Sequence, residues 1–245
     1  MRELIDKIRN YLSFSQKEIQ GIVISSLIIA LVFSLKSWTG TTVGDFIAAV
    51  LIALLSVSFH VLVQKIAALH VGFTADFKIW WNGLIISLIL MFVTRGLTWW
   101  ILVPGGISFS MIAKHRLGKF RYGMNYLPMG IVAFAGPIAS IVLGTIFKNI
   151  ELYLPFVPIS PIILHNIFIF NLILAVCTML PIPPLDGHYL FYASRTWYVF
   201  LFSTILIYTI LTAVLEIYSW IVALVAGFIL LFIYYISFEK GAWHA

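Results

Sequence analysis

Six stretches of this chain stay apolar over the length of a membrane crossing, and few folds can accommodate them. They run near residues 21–38, 46–69, 129–147, 162–181, 196–215 and 217–237. About 20 apolar residues in a helix cover the hydrocarbon core. Inside lipid the backbone must satisfy its own hydrogen bonds, which a helix does within one segment. Composition agrees: 62% of residues are apolar and 10% are charged, where a soluble domain has about a quarter charged. A water-soluble globular protein and a disordered chain are both excluded. Cys177 is the sole cysteine, which excludes a disulfide framework and a four-cysteine zinc site. The expected fold class is an all-α polytopic membrane protein with about six transmembrane helices.

A seventh apolar run, 84–103, is interrupted by Arg95-Gly96 and stopped by Pro104-Gly105-Gly106. Charge decides its treatment. If the run dips in and returns, thirteen of the 15 Lys and Arg residues fall on one side, and only Lys36 and Lys148 on the other. If it crosses, the basic loop Lys114–Arg121 lands on the wrong side for the positive-inside bias. The expectation is therefore a membrane-associated hairpin at 84–103 and a multi-pass protein of the cell membrane with both termini cytosolic. The domains are a cytosolic amphipathic helix over 1–20, one membrane domain over 21–237 with a hairpin and polar insert at 73–128, and a tail over 238–245. Within the insert, Ile107-Ser108-Phe109-Ser110 alternates like a strand. The net charge of +6 suits loops facing anionic lipid. No nucleic-acid partner is expected, because no basic and aromatic cluster of that kind occurs.

Polar groups inside apolar spans are costly and mark sites. Two places qualify. His60 and Gln64 stand one turn apart on a helix face, the spacing of two metal ligands and equally of a hydrogen-bonded pair packed against another helix. Leu180-Pro181-Ile182-Pro183-Pro184-Leu185-Asp186-Gly187 must break its helix, since proline cannot continue one. Asp186 is then a helix cap, an ion-pair partner, or part of a shaped site at membrane depth.

Together these places resemble the site-2 protease family of intramembrane zinc metalloproteases, over about Phe14 to Arg195. Leu180–Gly187 resembles the family's Asn-x-x-Pro…Asp-Gly motif, and Ala135-Gly136-Pro137-Ile138-Ala139-Ser140 its Ala-Gly-Pro-Leu-x-Asn stretch. Phe59-His60 through Gly72 stands where the family carries His-Glu-x-x-His. Ala75-Asp76-Phe77-Lys78-Ile79-Trp80 is similar to a segment of an archaeal branch. The resemblance implies a zinc site with His60 and Asp186 as ligands, and a substrate groove at Ser140, Thr178, Pro181 and Gly187.

The same resemblance exposes four departures. The general-base position holds Val61, which cannot take a proton. The second histidine position holds Gln64, and an amide oxygen is a poor zinc ligand. Thr178 and Ser140 replace the two asparagines. The implied reading is a disabled, pseudoprotease-like member with no catalytic residue, a vestigial His60–Asp186 site and no cofactor. It would bind a membrane protein or transmembrane helix, or serve as a subunit of a larger membrane complex. The alternative is an active zinc protease that completes its ligands with Gln64 or His188. A transporter ranks last, because few charges lie within the spans. Under the family frame His60 and Asp186 are expected to meet, although 126 residues separate them.

Overall fold

The computed structural model describes residues 2–35, 42–111, 125–154 and 159–239. Helix α1 (Arg2–Tyr11) is followed by α2 (Gln16–Ser34). Ser15 Oγ accepts from the Glu18 amide at 3.2 Å, and the Glu18 carboxylate accepts from the Ser15 amide at 2.8 Å. This capping box corrects the sequence-based boundary. Residues 1–20 are not one helix, and the first span starts at Gln16 instead of 21. Its charge, Glu18, is satisfied by Lys65 Nζ at 2.8 Å on α3 (Val43–Val71), which Gly72 ends at φ 101°, a conformation that favours glycine.

Strand β1 (Phe73–Ile79), helix α4 (Trp81–Val93) and strand β2 (Gly105–Met111) follow. The strands pair antiparallel from Phe73↔Met111 to Ile79↔Gly105. Because Ile79 faces Gly105, the chain between them leaves and returns to one point. It rises as α4 beside α2, turns at Thr94–Gly96 with Gly96 at φ 88°, and comes back as an irregular limb. The run 84–103 is thus a hairpin, and its outward limb is helical from Trp81. The alternation at 107–110 lies in β2. Its partner β1, which carries Ala75–Ile79, was not legible as a strand.

The remaining helices are α5 (Tyr126–Tyr153), α6 (Pro161–Thr178), α7 (Asp186–Ala193), α8 (Arg195–Val214) and α9 (Trp220–Tyr234), the last extended by a π turn over Tyr235–Glu239. Helix α6 stops at Thr178, short of the expected 181, since Pro181 restricts the residue before it and offers no N–H. Among the described residues, six helices (α2, α3, α5, α6, α8 and α9 with its π turn) are long and apolar enough to cross a membrane. The chain is a multi-pass membrane protein.

Helix α5 is the hub, packed on α3, α6 and α7. The α3–α6 contact carries a buried hydrogen bond, Asn171 Nδ2 to Ser56 Oγ at 2.9 Å. Helix α9 packs chiefly on α8 and presents Ile221, Phe228 and Phe232 outward. Lys36, the loop Lys114–Arg121, Lys240, His115 and His244 lie outside the described residues.

Candidate functional site

The site forms where α3, α5 and the start of α7 meet. On α3, Val57, His60, Val61 and Gln64 recur at the spacing of one helix face and are all buried. Helix α5 can come close because position 136 is glycine: a Cβ there would collide with His60 Nε2 and the Gln64 amide. Past α6, the proline-rich segment turns the chain so that Asp186 opens α7. Gly187 is required by close approach, since a Cβ would strike the Met179 carbonyl.

His60 Nε2 lies 2.9 Å from Asp186 Oδ2, and His60 Nδ1 lies 2.9 Å from Ser140 Oγ. Which ring nitrogen donates depends on the tautomer: a neutral ring that gives its Nε2–H to the Asp186 carboxylate takes the Ser140 hydroxyl proton at Nδ1. All three residues are buried, Ser140 completely. Asp186 Oδ1 is buried with no hydrogen-bond partner. Beside the pair is a cavity of about 10 Å³ walled by Val57, Val61, Phe77, Gly106 and Thr178, room for one water at most. Gly106 of β2 closes it: a Cβ there would strike the Pro184 carbonyl.

Gln64 does something else. Its Nε2 donates to the Ala133 carbonyl at 3.2 Å. Pro137 sits inside α5 and has no N–H to give to the carbonyl four residues earlier, which is Ala133. Gln64 therefore supplies the hydrogen bond that Pro137 cannot.

The other site residues fall as follows. Thr178 walls the cavity, but its hydroxyl bonds back to the Leu174 and Ala175 carbonyls. Pro181 is exposed. The His188 ring lies against Tyr189 and Tyr192, with centroids 5.5 and 4.7 Å away. The Tyr189 hydroxyl donates to the Ile107 carbonyl of β2 at 3.0 Å. Burial, with the Asp186 charge adding to it, raises the Tyr189 phenol above its ordinary pKa, so it stays a donor. His165 is at the far end of α6, 3.4 Å from Lys148 Nζ.

Sequence reasoning did not find the Gln64–Ala133 bond, the Gly106 wall or the Glu18–Lys65 pair. For the first, a signal existed: the residue four before Pro137 always needs a substitute donor. For the other two no local pattern exists.

A catalytic zinc needs three protein ligands and one open position. His60 and Asp186 offer two, and the buried Oδ1 of Asp186 is an acceptor without a hydrogen-bond partner. The third position fails: Gln64 could offer only an amide oxygen, a poor zinc ligand, and the His188 ring packs edge-on and tilted against Tyr189 and Tyr192. Among the described residues no group of three His, Cys, Asp or Glu side chains could hold a metal. The donor set does not fit a catalytic zinc. Ser140, His60 and Asp186 in hydrogen-bonded series resemble a nucleophile, base and orienting acid, but Ser140 is completely buried and does not line the cavity. It orients the ring.

A curated protein of Methanocaldococcus jannaschii, named "Putative zinc metalloprotease MJ0611", is 35% identical over 180 residues, covering 71% of this chain and 83% of that protein. No family model matches the chain, and no solved structure matches it. With that identity and coverage, the chain belongs to the site-2 protease-like family of this archaeal relative.

Proposed function

We propose that the protein is a catalytically disabled member of this family that holds a segment of another membrane protein, as a stable accessory subunit of a membrane complex in the cell membrane, with both termini cytosolic. The observation that carries the reading is buried Val61, an apolar side chain at the family's general-base position, one residue from His60. The third ligand position adds support, because Gln64 there offers only an amide oxygen, a poor zinc ligand. A partner segment in the lipid would meet the outer helix faces, since the cavity at the site is too small for a side chain.

A second reading, an active zinc protease, is favoured by one observation, the name of the archaeal relative. Elemental analysis of the purified protein separates the two. Wild type is expected to carry less than about a tenth of a zinc per chain, unchanged in His60→Ala, and to leave a transmembrane reporter uncut. Zinc near one per chain that disappears in His60→Ala would establish the protease reading.

A further inference from the structure

Between α6 and α8 runs a groove of about 610 Å³, closed at its back by Trp99 and Trp100 on the return limb of the hairpin. Ile169, Ile173 and Cys177 line it along one face of α6, and Ile210 lies opposite on α8. The lining runs along α6 from His165 to its end at Thr178, about 20 Å of helix, and on to Leu180. Polar side chains concentrate at the far end, where His165 and Asn166 stand on the first turns of α6. The rest is nearly all apolar.

We propose that this groove binds one hydrocarbon chain of a membrane phospholipid, with the headgroup at His165 and Asn166 and the chain along Ile169 and Ile173. Three observations fix the occupant. The groove opens on the lipid-facing surface of α8, where Ile210 and Val214 are exposed, so the bilayer supplies the ligand. Its polarity matches an amphiphile, polar at one end and apolar along the length. Its volume suits a slender molecule: 610 Å³ is ordinary for a small-ligand pocket.

The groove also shares a wall with the site. The Cys177 thiol donates to the Trp100 carbonyl at 3.2 Å, pinning the limb to α6. Six residues further, Gly106 closes the His60–Asp186 cavity. A lipid chain packed on Trp99 and Trp100 therefore steadies the segment that roofs the site. This inference does not depend on whether the site is disabled.

The test is native mass spectrometry of the full chain in mild detergent with added dioleoylphosphatidylglycerol. Wild type should retain one phospholipid per chain. Ile173→Trp, which fills the groove, should lower that occupancy at least tenfold. Ile229→Trp, on the outward surface of α9, should leave it unchanged. Ala213→Phe, on the opposite wall, repeats the test if Ile173→Trp does not fold. Wild type that retains no phospholipid, retention unchanged in the groove variants, or displacement by an equal amount of oleic acid would overturn the proposal.

Discussion

The side-chain amide of Gln64 sits 3.2 Å from the backbone carbonyl of Ala133, and Pro137 makes that bond necessary. In lipid a freed carbonyl has no water to turn to, so a donor from the neighbouring helix takes the place of the missing N–H. A residue at a metal-ligand position of the family thus works here as a structural cap.

A double-mutant cycle tests this. Gln64→Ala alone should cost about 1–3 kcal/mol, the penalty of an unpaired buried acceptor. Pro137→Ala restores an N–H for Ala133. In that background the same Gln64→Ala change should cost much less, with a coupling of about 0.5–3 kcal/mol. Thermal unfolding in detergent reads both. Equal costs in the two backgrounds would show that Gln64 does not cap Ala133.

The second prediction restores the metal set. In Val61→Glu/Gln64→His, the general base and third ligand return at the family's spacing beside His60 and Asp186. Zinc should bind near one per chain, measured by elemental analysis, where wild type binds little. Cleavage need not follow, because Thr178 and Ser140 still lack amides to position a substrate, and lost positioning alone costs orders of magnitude in rate. Wild type binding zinc as tightly as the double variant would refute the disabled site.

Gly136→Ala should separate α3 from α5. The new methyl has nowhere to go against the His60 ring and the Gln64 amide. Overpacking of this kind costs about 1–3 kcal/mol, and the melting temperature should fall accordingly. Gly44→Ala, where a Cβ meets only Thr42 Oγ1 at 3.6 Å, is the control and should melt like wild type.

Lys65 and Glu18 form a buried pair that also engages the Ser13 carbonyl at 2.7 Å and the Phe77 amide at 2.9 Å. Removing one partner, as in Lys65→Met, should cost about 3–5 kcal/mol by stranding a buried charge. Lys65→Met/Glu18→Met should recover a large part of that loss. Denaturant unfolding of the three variants decides it, and a double variant no better than the single would contradict the pairing.

The number of spans follows from the sequence alone, because apolar length and the demand for internally bonded backbone leave helices as the solution. The hairpin at 84–103 follows from the charge balance together with Arg95-Gly96 and Pro104-Gly105-Gly106, and the break before Asp186 follows from three prolines. Local chemistry settles such features. The start of α2 was equally local, in Ser15-x-x-Glu18, although the apolar run drew the boundary too late. Which groups face one another was decided only by the tertiary structure. His60 and Asp186 meet because Gly136 and Gly187 let three segments approach. Gln64 turns to Ala133 because one carbonyl on another helix lacks its donor. β1 forms because β2, thirty residues on, lies beside it. Pairing energies of this kind depend on distances between segments remote in the chain, and no periodicity within a segment records them.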